Sequence, residues 1–190
     1  METKNIMIVG VGGQGTLLAS KLLGRILLEN GYDVKVSEVH GMSQRGGSVV
    51  TYVRYGDKVY SPIIDKGEAD FILSFELLEA ARWIEYLKKG GVLLTNTQRI
   101  NPMPVITGTA DYPKTLEAKL SALPIRLDAM DALGLALRAG SSKAVNLVLL
   151  GRLSRYFHFT DEQWQDAIAK SVPEKFLELN KKAFALGAEA

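Results

Sequence analysis

There is no cysteine among the 190 residues of this chain. Disulfides, thiolate catalysis and an iron–sulfur cluster held by the chain's own thiolates are thereby excluded. An electron carrier of that kind has to sit in a partner. Histidine is scarce as well: His40 and His158 lie far apart and make no metal-binding spacing. Neither sign of charge is in surplus. Twenty-three basic against 21 acidic residues leave +2, too little to indicate nucleic acid or an anionic membrane as partner. No apolar run is long enough to span a bilayer, and the opening METKNIMIVG runs straight into a strand without the apolar core of a signal peptide. A cytoplasmic location is the default expectation. The hydrophobic content of 47% is normal for a soluble globular protein and argues against global disorder. The length suits one domain with a substantial core, taken as residues 1–190.

The first informative stretch is VGVGGQGTLLASKLLG. Gly10, Gly12 and Gly15 satisfy G-x-G-x-x-G between a β-rich run at residues 6–9 and a helical pattern at residues 16–30, with Gly31 as stop signal. In a dinucleotide fold these glycines give a tight turn, close backbone approach and helix–strand packing, and the helix N-terminus holds an anion. The ribose-binding acid would be Glu38, or else Asp33. The bland alternative is strong, because a tight strand-to-helix crossover needs glycines even when nothing binds. Gly13 removes further side-chain bulk, and Gln14 adds an amide donor and acceptor. A P-loop fails, since no Gly-Lys-Ser/Thr closes the motif.

Strand, turn, helix and the second strand YDVKVSEV make a βαβ unit, and a mostly parallel sheet is expected. SVVTYVRY is a strand, and YGDKVYS reads as its short return strand in an edge hairpin. ADFILSF is a buried strand. ELLEAARWIEYLKKGG reads as an amphipathic helix with Lys88 and Lys89 in its last turn. VLLTN is a strand, followed by a loop with a candidate short strand at residues 105–107. PKTLEAKLSAL is a helix and PIRLDA a strand. The remainder reads as helices, with a Thr160–Gln163 capping box and Pro173 in the first turn of the last helix. The fold class is therefore α/β, a Rossmann-like mostly parallel sheet flanked by helices, with a β-hairpin insertion and C-terminal helices. Trp164, Phe176 and Phe184 fit an apolar face, read as core rather than docking surface. His158, near aromatics, reads as structural.

The second unusual stretch is EVHGMSQRGGSVV. Glu38, His40, Gln44 and Arg45, with Gly46 and Gly47, lie between two strands without apolar periodicity. Loops at the carboxyl ends of parallel strands are where α/β folds place ligands, and both polar loops are expected at one edge. Arg45 is the better candidate for a phosphate or carboxylate, because its planar fork binds oxyanions bidentately. His40 is as readily a hydrogen-bonding residue as a functional one.

These two stretches, GVGGQGTLLAS and EVHGMSQRGGSVVTYVR, resemble the gamma-type component of the 2-oxoacid:ferredoxin oxidoreductases. The His-Gly-Met-x-Gln-Arg-Gly-Gly form is most similar to the indolepyruvate type of that family, in its beta subunit. AGSSKAVNLVLLGRL resembles the family's Gly-x-x-x-x-x-Asn-x-x-x-x-Gly helix start, and NKKAFALG its ending, so the likeness covers nearly the whole chain. Ser43 departs from the alanine common in relatives, a conservative change. The resemblance implies a small subunit, inactive alone, of an enzyme whose larger alpha subunit carries thiamine diphosphate, Mg²⁺ and iron–sulfur clusters. That enzyme oxidatively decarboxylates an aryl 2-oxoacid to its acyl-CoA and reduces ferredoxin. No cofactor is expected on this chain alone, and coenzyme A is a candidate at the interface. Gly10, Gly12, Gly13, Gln14, Gly15, Glu38, His40, Gln44, Arg45, Gly46 and Gly47 would then form a cofactor-binding or subunit-interface site, with no catalytic residue assigned. Two other readings stay open: a stand-alone NAD(P)-binding oxidoreductase, and a non-catalytic scaffold subunit of the same complex.

Overall fold

A computed structural model describes residues 2–39 and 46–190. Six strands form one sheet: β1 (Lys4–Val11), β2 (Asp33–Val39), β3 (Ser48–Gly56), β4 (Ala69–Ser74), β5 (Leu87–Asn96) and β6 (Arg126–Met130), in the order β2-β3-β1-β4-β5-β6. β1, β4, β5 and β6 are mutually parallel, and β3 is antiparallel to both β1 and β2. The mostly parallel α/β architecture is as the sequence indicates. The hairpin differs from expectation. β3 inserts between β1 and β2, so the first two strands are parallel but not adjacent. The expected return strand is absent, because side chains claim its backbone: Asp33 accepts from the Val59 amide at 2.8 Å, and Arg54 donates to the Ser61 and Ile63 carbonyls at 3.0 and 2.8 Å.

Alternation along β1 divides the core. Ile6 and Ile8 face one apolar layer, Met7 and Val9 the other. Two covered faces explain why β1 is a continuous apolar run. The first layer is closed by α1 (Thr16–Glu29) and, toward the C-terminus, by α5 (Ala132–Ala139), α6 (Val145–Ser154), α7 (Asp161–Ala169) and α8 (Leu177–Glu189). The second is closed by the shorter α2 (Leu77–Trp83) and α4 (Leu116–Ser121). The short α3 (Met103–Ile106) stands where a strand at residues 105–107 is expected. Pro102 before it and the Ile106 and Thr107 amides returning to Pro102 and Met103 set a helical turn.

The helix expected to reach Lys89 ends at Trp83 and passes through a 3-10 turn into β5. Lys88 and Lys89 are strand residues. Leu87 pairs with Ala69 in the ladder, and Lys88 bonds the Asp70 carboxylate, which Lys4 also reaches at 3.3 Å. Ladder pairing and a nearly buried acceptor override local helical preference. The capping box at Thr160 and Gln163 is present. Pro173 caps a 3-10 turn that leads into α8, rather than lying inside the helix. Trp164 and Phe184 are core, with ring centroids 5.3 Å apart, whereas Phe176 is exposed beneath Lys175. Here the core expectation holds for two aromatics of three. No helix among the described residues is long and apolar enough to cross a membrane.

Candidate functional site

The glycine loop leaves the carboxyl end of β1. Gly10 lies under Phe75: a Cβ there would stand 2.9 Å from the Phe75 Cβ and 3.0 Å from Gln14 Oε1. Gly15 takes φ +86° as the N-cap of α1, and a Cβ would meet the Asn146 amide at 2.8 Å. Left-handed backbone and close approach together require glycine there. Gly13, at φ +99°, faces open space.

Gln14 does what the sequence pattern alone does not reveal. Its Oε1 accepts from the Val11 amide at 2.8 Å, and its Nε2 donates to the Phe75 carbonyl at 3.0 Å. One side chain thus bridges the ends of β1 and β4, where an open α/β sheet leaves its crevice. Asn96, at the end of β5, donates to the same Phe75 carbonyl at 3.2 Å and accepts from the Ala132 amide at 3.2 Å. An amide chain therefore ties three strand ends to the start of α5.

The second loop returns beside the first. Gly12 donates to the Gly47 carbonyl at 2.9 Å, and Gly46 donates to Gly12 at 3.4 Å. The expectation that both loops share an edge holds for Gly46 and Gly47. His40, Gln44 and Arg45 lie outside the described residues. Glu38 is at the end of β2, where its carboxylate accepts from Ser20 Oγ of α1 at 2.8 Å. With β3 interposed, β2 lies two strand spacings, about 10 Å, from β1. Glu38 is thereby drawn away from the place a ribose-binding acid takes in an adjacent second strand.

Two hollows open at this edge. One, about 420 Å³, is lined by Gly13, Gln14, Gly15, Gln98, Leu133 and Lys143, among others. The N-terminus of α1 opens here with no side-chain cap and no acidic residue in its first turn. Its amides and the Lys143 ammonium are a donor set suited to an anion. The other hollow, about 300 Å³, is lined by Gly46, Gly47, Ser48, Glu76, Glu79 and Arg82, among others. Here two carboxylates are buried. Glu76, 1% exposed, accepts from the Glu79 and Ile100 amides at 2.9 and 3.0 Å and from the Tyr112 hydroxyl at 2.6 Å. Burial, then the Glu76 hydrogen bond, hold the Tyr112 phenol above its ordinary pKa. Glu79 receives the Ser48 hydroxyl, Arg82 Nε at 3.0 Å and Trp83 Nε1 at 3.3 Å. Fully partnered, these carboxylates anchor the base of the second loop and the segment after β5, and neither is set up as a free general base. Among the described residues no group of three or more His, Asp or Glu is placed to hold a metal ion.

Gln98, Lys143, Glu76 and Glu79 escaped the sequence reading because they come from separate elements that only the fold brings together. Asn146 was visible only within the late Gly-Asn-Gly motif. Its partner is now clear: it packs on Gly15 and reaches the Gly15 carbonyl at 3.4 Å.

Comparison with known proteins agrees with this architecture. Residues 5–190 match the family described as pyruvate ferredoxin/flavodoxin oxidoreductase. Indolepyruvate oxidoreductase subunit IorB of Thermococcus kodakarensis is 48% identical, over 100% of this chain and 96% of that protein. The protein of the same name from Archaeoglobus fulgidus is 40% identical, over 96% of this chain and 92% of its own length. Among solved structures, the gamma subunit of a keto/oxoacid ferredoxin oxidoreductase from Geobacter sulfurreducens superposes with TM-score 0.73 at 26% identity, covering 98% of this chain and 96% of that one. A 2-oxoglutarate:ferredoxin oxidoreductase chain from Magnetococcus marinus shares the fold, with TM-score 0.77 at 17% identity, over 100% of this chain but 31% of that longer one. From the glycine loop on β1 to the Asn146 and Gly151 helix, this chain belongs to the pyruvate ferredoxin/flavodoxin oxidoreductase family.

Proposed function

We propose that the chain is the small subunit of an indolepyruvate-type 2-oxoacid:ferredoxin oxidoreductase, acting as one unit of residues 1–190 in the cytoplasm and inactive alone. The observation that carries the reading is the full-length 48% identity to a protein named as an indolepyruvate oxidoreductase subunit. The absence of cysteine fits a division of labour in which a larger alpha subunit holds the thiamine diphosphate, Mg²⁺ and iron–sulfur clusters. That subunit passes electrons to ferredoxin. Coenzyme A, when bound, supplies the thiol that accepts the acyl group. The part of this chain whose donors suit its phosphates is the hollow beside Gly13, with Lys143 and the uncapped start of α1. The chain's own contribution is to bind and orient there and to present Gly12, Gly13, Gly46 and Gly47 as a close-packing surface. The Arg45 role belongs to the same proposal.

A private NAD pocket is disfavoured by Gln14, whose amide occupies the ends of β1 and β4, and by the displacement of β2. The scaffold reading has one observation in its favour: Gly10 and Gly15 are already explained by internal packing on Phe75 and Asn146.

The test is steady-state kinetics of the co-expressed two-subunit enzyme, with indolepyruvate, coenzyme A and a viologen acceptor. Lys143→Ala should raise KM for coenzyme A about tenfold, equivalent to roughly 1.4 kcal/mol, with kcat little changed. An unchanged KM with intact assembly would leave only the scaffold role. No 2-oxoacid-dependent reduction by the assembled enzyme would overturn the reading itself.

A further inference from the structure

Asn96 is fully buried at the end of β5, and both ends of its side-chain amide are in use. Its Oδ1 accepts from the Ala132 amide at 3.2 Å and from the Gln98 amide at 3.3 Å. Its Nδ2 donates to the Phe75 carbonyl at 3.2 Å and to Gln98 Oε1 at 3.2 Å. These partners admit one orientation. A flipped amide would turn its oxygen on the Phe75 carbonyl and its nitrogen on two backbone N–H groups, leaving buried donors and acceptors unmatched. Gln14 adds to the constraint, because its Nε2 donates to the same Phe75 carbonyl at 3.0 Å.

That orientation passes to Gln98. Only an acceptor can face Asn96 Nδ2, so the Gln98 amide turns its oxygen to Asn96 and its nitrogen away. The Gln98 backbone is held as well, since its carbonyl accepts from the Leu77 amide at 3.1 Å. Gln98 Nε2 carries two N–H donors and has no hydrogen-bond partner among the described residues. Gln98 is half-buried and lines the hollow of about 420 Å³ together with Gly13, Gly15 and Lys143. No carboxylate among the described residues lines it. The Gln98 nitrogen, the Lys143 ammonium and the uncapped amides of α1 all donate, and none of the three accepts. Such a set recognises a group that only accepts, and it rejects a donor or a cation.

We infer that Asn96 is a positioning residue for ligand binding: it locks the Gln98 amide with its nitrogen toward the hollow, making Gln98 a hydrogen-bond donor to the phosphate oxygens of coenzyme A. The inference rests on the reading above that places coenzyme A there.

Steady-state kinetics of the assembled two-subunit enzyme test it, with coenzyme A and indolepyruvate varied in turn. Gln98→Glu keeps size and shape but puts a charged acceptor where the donor stood. It should raise KM for coenzyme A about tenfold or more. Both kcat and KM for indolepyruvate should stay near the parent values. Gln98→Leu removes the donor without adding repulsion and should raise KM for coenzyme A less. Asn96→Asp withdraws the Nδ2 donor, so the Gln98 amide turns round and presents its oxygen to the hollow. KM for coenzyme A should rise in that variant too, yet the same substitution should add nothing in a Gln98→Leu background, because the two residues act through one contact. Equal losses in both backgrounds would make Asn96 merely structural and overturn the inference. If Asn96→Asp does not assemble, the Gln98 variants decide: a raised KM for coenzyme A in both sustains the inference, and an unchanged one overturns it. A KM moved by Lys143→Ala but by neither Gln98 substitution would overturn the inference and leave the coenzyme A site standing. A KM moved by none of them would overturn both.

Discussion

Glu76 shows how much a single residue can hold. Its buried carboxylate collects amides from α2 and from the segment after β5, together with the Tyr112 hydroxyl. Removing one donor leaves a buried charged acceptor short of a partner, which costs more than the hydrogen bond is worth in water. Tyr112→Phe should therefore destabilise the fold by about 1.5–3 kcal/mol, measured by urea unfolding at neutral pH. The pH dependence has a definite sign. The folded phenol is held above the ordinary tyrosine value, so its contribution is full below about pH 10 and declines as pH rises beyond it. The gap between parent and variant should narrow in that alkaline range. A gap that instead widens would contradict the assigned cause. Gln14 carries similar weight for a different reason: its two amide atoms satisfy the Val11 amide and share the Phe75 carbonyl with Asn96, tying the ends of two strands together.

At the level of elements, the late glycines find their explanation. α6 and α8 cross so closely that a Cβ on Gly151 would sit 2.0 Å from the Phe184 carbonyl oxygen, and one on Gly187 would sit 1.9 Å from that of Val148. Backbone, not a flexible side chain, is in the way. Gly151→Ala must push the helices apart, and it should cost about 3 kcal/mol or more. In a chain of this size that is roughly a 6–12 °C fall in unfolding temperature, readable by calorimetry. A variant as stable as the parent would mean that the crossing tolerates separation. The same crossing underlies both C-terminal motifs, since Asn146 and Gly151 lie on α6 while Phe184 and Gly187 lie on α8. Asn146 then links this helical layer to Gly15 of the glycine loop.

For the whole molecule, the position of β3 is decisive. By separating β2 from β1 it turns a dinucleotide-like motif into something else. The turn and the helix N-terminus remain, but the acid at the end of the second strand bonds to α1 rather than facing the crevice. The isolated chain should accordingly show no saturable binding of NAD(H) by isothermal titration. Stoichiometric binding weakened by Glu38→Ala would restore the oxidoreductase alternative.

The sequence by itself determined the α/β class, β1 and its glycine turn, the span and stop of α1 and the Thr160 capping box. All of these rest on local chemistry: period of apolar residues, backbone freedom at glycine, and side-chain caps within four residues. It also excluded a thiolate-bound cluster by composition alone, and its paired motifs carried the family likeness that the comparisons establish. Tertiary structure decided what depends on partners distant in sequence. Lys88 and Lys89 joined β5 because Ala69 and Asp70 lie alongside. The return strand after β3 failed to form because Asp33 and Arg54 captured its backbone. Gln98, Glu76, Glu79 and Lys143 became neighbours of the site only when strand ends met. Hydrogen bonds formed across 31 to 61 residues, as from Ser48 to Glu79 and from Gln14 to Phe75, leave no periodic trace in a sequence, and the order of strands in a sheet leaves none either.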